Sequence, residues 1–284
     1  MTRDDGGMGE TPGEAVTGLP DWAPEDVDMR TPSMARAYDY ALGGGHNFAV
    51  DREFFRAFEA ALPEARVVAR ANRAFLHRAV RFMIGEGIRQ FLDIGSGIPT
   101  VGNVHEIAQG LDPGAKVVYV DIEPVAVAHS RQILAGNGRA SAIQEDLRHP
   151  KAILDHPDTR ALLDFGQPVG LVLAAILHAI PDEDDPHGIM TQLRDALAPG
   201  SYVAISHSTA DTHTKAARAV EQVTKQTTTP TTLRSRGEIM RFFTELDLVE
   251  PGVVWVSQWR PDSPDDVGDH PERLVTYAGV GRKS

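Results

Sequence analysis

The sequence predicts an α/β protein: a mostly parallel sheet with helices on both faces, preceded by a helical cap. Three observations carry this. From residue 88 onward, short apolar runs alternate with helix-period segments, the pattern of strand–helix–strand crossovers. The run at 169–177 is apolar throughout, as a strand covered on both faces requires. Residues 31–86, in contrast, show only helical spacing of apolar side chains.

The elements follow in order. Residues 1–30 are rich in Gly, Pro and acidic groups, with few large apolar side chains, and read as a flexible leader. A cap is expected over 31–86. Thr31 or Ser33 caps a helix over 33–40, and Gly43-Gly44-Gly45-His46-Asn47 breaks it. A helix over 51–62 takes Asp51 as N-cap and turns Phe54, Phe55 and Phe58 to one side. A long helix over 64–85 carries Val68, Phe75, Leu76, Val80 and Ile84 on one stripe. The core is expected over 87–284, with strands at 88–94, 116–122, 140–144, 169–177 and 201–206 and helices at 103–110, 124–134 and 186–198. In the tail, 212–224 reads as a helix and 227–232 as a threonine-rich loop. Ser235 and Glu238 form a capping box opening a helix through 246, and strands at 253–256 and 274–280 form an antiparallel edge pair.

Composition excludes several classes. A net charge of −12 disfavours nucleic acid, because phosphate binding needs clustered Lys and Arg. The absence of cysteine removes disulfides, thiolate metal sites and a thiol nucleophile. No apolar run approaches the roughly 20 residues that cross a bilayer. The acidic start lacks an apolar signal-peptide core, so a cytoplasmic location without membrane partners is expected.

The segment Phe91-Leu92-Asp93-Ile94-Gly95-Ser96-Gly97 is a strand running into glycines ahead of a helix, which brings backbone N–H groups close to a ligand. A dinucleotide loop needs a third glycine where Thr100 stands. Asp93 argues further against a pyrophosphate. At about 6 Å and an effective dielectric near 20, each charge pair would cost on the order of 3 kcal/mol. An ammonium or sulfonium would be favoured there instead. Asp121, with Ile122, ends the second strand where a carboxylate accepts both ribose hydroxyls. Asp146, with Leu147, follows the third strand and can accept from an adenine amino group. Asp121 by itself suits NAD equally well, and either acid taken singly is as readily a turn or cap residue.

The ordered blocks LDIGSG, VVYVDIEP, QEDL, LVLAAILHAIPD and LAPGSYVAISH resemble the class I S-adenosylmethionine-dependent methyltransferases. The chain resembles more closely a bacterial S-adenosyl methyltransferase-like family of unknown function, through ARAYDYALGG with Asn47-Phe48 and Asp51, ARANRAFL at 69–76, DIGSGIPT, RSRGEIMRFF and YAGVGR. The resemblance implies a Rossmann-like seven-stranded, mostly parallel sheet with an antiparallel edge pair and a helical N-terminal cap. It implies S-adenosylmethionine as cofactor, with Gly95, Ser96 and Gly97 at the loop, and names no acceptor. In one respect the chain departs from the superfamily: Pro99 replaces the usual third glycine. Asn103 and Glu106 then read as a later helix start, leaving 98–102 as an extended loop. Contacts to the methionine portion are therefore sought elsewhere, with Arg70 as carboxylate partner and Asn47 from the cap. Arg70 is equally well a solvated helix arginine.

Methyl transfer needs positioning and desolvation, and a base only where the acceptor loses a proton. His178 and His207 follow strands four and five at the carboxyl edge, and Tyr38 flanks the triple glycine, which would fold over the methyl as a lid. The alternatives are polar strand-end residues and a helical packing element. Asp182 to Asp185 with His187 looks metal-like but reads as a helix start, so no metal is expected. The Asn-Pro-Pro-aromatic signature of base and glutamine methylation is absent at Leu177-His178-Ala179-Ile180. The leading expectation is O- or N-methylation of a small-molecule acceptor. A non-catalytic protein binding S-adenosylmethionine or its demethylated product, and an NAD-dependent oxidoreductase, stay open. So does a homodimer, because a cap can cover a second copy as readily as its own sheet.

Overall fold

The computed structural model describes residues 19–25, 27–99, 102–212 and 214–284. Most of the expected leader, and Thr100 in the glycine loop, lie outside the described residues.

The cap helices are α1 (Met34–Ala41), α2 (Ala49–Ala61) and α3 (Ala65–Gly85). Strands and helices then alternate: β1 (Gln90–Ile94), α4 (Val104–Leu111), β2 (Lys116–Asp121), α5 (Pro124–Ile133), β3 (Ala140–Gln144), α6 (Pro150–Asp155), α7 (Pro157–Leu162), β4 (Gly170–Ala174), α8 (Pro186–Ala196) and β5 (Tyr202–Ser208). The tail adds α9 (Thr214–Thr224), α10 (Arg236–Arg241), β6 (Asp247–Leu248), β7 (Val254–Trp255) and β8 (Thr276–Arg282). The sheet order is β3-β2-β1-β4-β5-β8-β6, with β7 also on β8. β1 to β5 run parallel, and β8 is antiparallel to β5, β6 and β7.

The order reverses between β1 and β4, which opens a crevice at the carboxyl ends of these strands. Alternation fixes what points where. Leu92, Val118 and Val120 face a core roofed by α6, α7, α8 and α10. Phe91, Val117 and Tyr119 face the core under α3 and α4, and Asp93 and Asp121 share their parity at the crevice end.

Several expectations shift. Asp51 is not the N-cap of α2. It sits one turn in, and its carboxylate reaches back to the Phe48 N–H at 2.8 Å. α3 serves two layers: Ala65 and Ala69 pack among the cap helices, whereas Phe75, Ala79 and Met83 cover the sheet. α9 returns from the core to pack on α2, with Val220 in the cap's apolar cluster. The helix opened by Ser235 ends at Arg241, and β6 follows it, paired at the edge with β8. α6 and α7 were not expected from the sequence.

Cap and core are joined by a buried ion cluster. Arg36 of α1 donates through Nε to Asp51 at 2.8 Å and through Nη1 to Glu123 at 3.0 Å, and its other nitrogen reaches the carbonyls of Asp28 and Thr31. The imidazole of His46 stacks on that of His129 in α5, with ring centres 3.7 Å apart.

Candidate active site

A cavity of about 210 Å³ runs from the carboxyl ends of β1 and β2 to the cap helices. A second, of about 160 Å³, shares Gly95, Asp121, Ile122 and Ile176 with it and reaches Asp146 and Leu147. The crevice at the strand-order reversal thus holds two adjoining lobes that share these residues.

Its sheet end is built by the glycine loop. Gly95 has a left-handed φ of +73°, and a Cβ there would lie 2.4 Å from Ile176, so only glycine fits. Gly97 is also left-handed, at +67°, but a Cβ would meet nothing within 4 Å. Its backbone is therefore open to a ligand. The Gly97 N–H donates to Asp121 Oδ2 at 2.7 Å, and the Glu123 N–H donates to Oδ1 at 2.9 Å. Burial pushes the Asp121 carboxyl up to about 6, against the pull of those two donors. Burial also pushes Asp93 up to about 7, with the Arg73 guanidinium pulling it down and Asp121 pushing it up. Across from the loop, Ala175 is held at φ +59° after β4, a left-handed conformation that costs a non-glycine residue on the order of 1–2 kcal/mol. Its N–H donates to Ser206 Oγ at 2.9 Å.

The expected site residues separate into two groups. Asp93, Gly95, Ser96, Gly97, Asp121 and Ile122 line the first lobe. Asp146 and Leu147 line the second, where burial raises the Asp146 carboxyl but hydrogen bonds from Arg148 outweigh it and leave it lowered. Arg70 is exposed and lies outside the cavity, which Arg73 lines instead. Register explains the exchange, since Ala69, Arg73 and Leu76 share a face of α3 from which Arg70 is rotated away. Asn47 is buried in the cap turn, where Nδ2 donates to Asp39 and to the Gly44 carbonyl. The triple glycine serves that same turn. A Cβ on Gly44 would strike the Asp39 carboxylate, and none of the three glycines is among the residues that line the cavity.

Tyr38 lines the cavity, but its hydroxyl donates to the Ala69 carbonyl at 2.9 Å and accepts from Asn72 at 3.2 Å. Burial raises its pKa. It ties α1 to α3. His207 is fully buried outside the cavity lining. Its Nδ1 faces the Ser208 carbonyl at 2.7 Å and so carries the proton, leaving Nε2 to accept from Arg234 at 3.1 Å. His178 does line the cavity, and its Nδ1 is buried without a hydrogen-bond partner. Burial and the Arg234 charge push it down to about 4, so it is neutral at pH 7.

Sequence reasoning missed Arg234. Its guanidinium donates to the Leu177 and Ile180 carbonyls at 3.0 and 2.8 Å, and so fixes the loop that carries His178. The threonine-rich segment helps: Thr232 N–H donates to the His178 carbonyl at 2.7 Å, and Thr228 and Thr229 line both lobes. Among the described residues no group of three or more His, Asp or Glu is arranged to hold a metal, and no helix is long and apolar enough to cross a membrane.

Residues 20–284 match a family described as S-adenosyl methyltransferase. The chain is 38% identical to a protein from Thermobifida fusca YX assigned as a methyltransferase, over 93% of this chain and 100% of that one, with a TM-score of 0.88. It is 40% identical to a DUF574 family protein from Streptomyces avermitilis, over 90% of this chain and 99% of that one, with a TM-score of 0.87. No curated protein matches it significantly. The chain belongs to the S-adenosyl methyltransferase family: it is a methyltransferase, and S-adenosylmethionine is its cofactor.

Proposed function

We propose that the protein methylates an oxygen or nitrogen of a small molecule, with the cofactor at the sheet end of the cavity and the acceptor under the cap. The observation that carries this is the cavity itself, which joins the buried acids Asp93 and Asp121 to a chamber walled by α1, α2 and α3. The residues at the sheet end suit the cofactor. Among the described residues two buried carboxyls and one guanidinium, Arg73, line this end, and an ammonium and a sulfonium would balance the acids. The open backbone at Gly97 admits close approach.

In this reading Asp93 takes the ammonium of the methionine portion and Arg73 its carboxylate. Asp121 accepts from the ribose hydroxyls, and Ile122 and Leu147 flank the adenine. Asp146 accepts from the adenine amino group while sharing its charge with Arg148. When bound, S-adenosylmethionine supplies an electrophilic methyl group and leaves as a neutral thioether. The chain excludes water through the cap, and the neutral imidazole of His178, which lines the cavity, takes the proton that the acceptor loses. Tyr38, His207 and Arg234 act through positioning.

Incubation with methyl-tritiated cofactor and fractionated cell extract tests this. Label is expected in low-mass metabolites and lost about 10²- to 10⁴-fold with His178→Ala at unchanged cofactor affinity. Label confined to protein or nucleic acid would overturn the reading.

A further inference from the structure

We propose that the acceptor is an uncharged molecule with an apolar body that presents a hydroxyl group to His178 and Thr276, and that the cap helices select it. This rests on the reading of the site given above and concerns its other end.

The walls at the cap end are apolar: Met34, Phe54, Phe55, Phe58, Val68 and Leu76. Small residues there, Ala37, Ala65 and Ala69 among them, keep the chamber open. Among the described residues, the charged ones that line the cavity are Arg73, Asp93, Asp121 and Glu123, and each stands on the cofactor side or is already paired. Glu123 is held by Arg36 at 3.0 Å. A carboxylate or ammonium under the cap would be buried without a counter-ion, at a cost of several kcal/mol.

Two polar side chains near that end, Tyr38 and Asn72, are committed to the protein. Tyr38 is bonded to Ala69 and Asn72, and Asn72 Oδ1 accepts from Ser206 Oγ at 2.5 Å. Among the described residues, His178 and Thr276 line the cavity and carry buried polar atoms, Nδ1 and Oγ1, with no hydrogen-bond partner. Thr276 is only 2% exposed, on β8 opposite Ser208. An orphaned buried polar atom is costly, and a ligand that satisfies it gains the difference. The pair is complementary to a hydroxyl. In the tautomer protonated on Nε2, neutral His178 Nδ1 accepts, and a threonine hydroxyl can donate, so a hydroxyl placed between them gives to the first and receives from the second. An amine acceptor would arrive as a cation near neutral pH, which the apolar walls oppose.

The test uses the full chain and three probes of one shape: 2-naphthol, 2-naphthoate and 2-naphthylmethylammonium, titrated by calorimetry into free protein and into protein loaded with S-adenosylhomocysteine. Naphthol is expected to bind, and both ions at least about tenfold more weakly. Ala69→Phe fills the chamber and should lower naphthol affinity at least about tenfold, with S-adenosylhomocysteine affinity held within about twofold. Thr276→Val keeps the shape, removes the hydroxyl and should cost about fivefold, which keeps the proposal testable if the phenylalanine variant does not fold. An ion that binds as tightly as naphthol, naphthol that fails to bind at millimolar concentration, or naphthol affinity untouched by both variants would overturn the proposal. Failure of S-adenosylhomocysteine to bind would count against the cofactor site instead, and the titrations into free protein would still decide the acceptor class.

Discussion

The two ends of the cavity are made by different means. At the sheet end, backbone conformation does the work: left-handed Gly95 and Gly97 shape the loop, and carboxylates at the ends of adjacent parallel strands are placed by the sheet. At the cap end, side-chain volume does it, as alanines and phenylalanines on three helices leave a space between them. The first design fixes a ligand that carries charge. The second fixes only size and polarity, and can change its acceptor by exchanging a few side chains. Arg36 couples the two, because Asp51 belongs to the cap and Glu123 lies two residues beyond Asp121.

That coupling supplies the largest expected effect. Arg36→Met keeps much of the side-chain volume but leaves Asp51 and Glu123 buried without their cation. Breaking a buried pair on one side costs about 3–5 kcal/mol, and a loss of that size is expected in urea denaturation. A loss below about 1 kcal/mol would break the comparison, since the cap would then be held by apolar packing with no ionic link to the cofactor loop.

The next effect separates the ends. Asp121→Ala removes the proposed ribose acceptor and strips the Gly97 N–H of its partner. Two hydrogen bonds to a charged group, at roughly 1.5 kcal/mol or more each, amount to about a 100-fold loss of S-adenosylmethionine affinity by calorimetry. Naphthol affinity of the free protein should stay within about twofold. Parallel losses would mean that the ends are not independent.

The same contrast explains what could be read in advance. Strands β1, β2, β4 and β5 were legible because each is a largely apolar run closed by turn residues, and the expected 140–144 coincides with β3 at both bounds. β6 and β7, with two residues each, are too short to show a period, and α6 and α7 each hold too few apolar residues within one to two turns. The Asn103–Glu106 start was readable from local spacing, and Glu106 accepts from the N–H groups of Gly102 and Asn103 at 2.8 Å. The acids at 93, 121 and 146 were legible because strand order converts sequence position into place. Arg73 was readable in principle from the register of Ala69 and Leu76 on α3. Arg36 with Glu123, and Arg234 with the His178 loop, meet only through tertiary packing, and no local pattern announces contacts 87 and 57 residues apart. The constraint that the structure shows on the glycine triplet is likewise tertiary: Asp39 beside Gly44, inside the cap.

The smallest effect sharpens the electrostatic half of the contrast. Asp93 and Asp121 have carboxyl groups raised to about 7 and about 6, mainly by burial. Their folded values lie above those of an unfolded chain. Between about pH 4 and 7 the native state therefore holds protons that the unfolded state has released, and this contribution to stability fades as pH rises through that window. A bound cation reverses the preference, because it favours the ionised acids, so binding below about pH 7 must expel protons. S-adenosylmethionine affinity should accordingly rise between about pH 5.5 and 7, by at most about tenfold per pH unit for each proton released, and then level. Calorimetry at about pH 6 in two buffers of different ionisation enthalpy reads that proton release directly. Asp93→Asn should flatten the profile and reduce the release. The cap end, where the described residues place no acid beyond paired Glu123, predicts naphthol affinity independent of pH over the same range. If naphthol binding followed the cofactor's pH profile, a titrating group would have to face the chamber, and the division of the cavity into a charged end and an apolar end would fail.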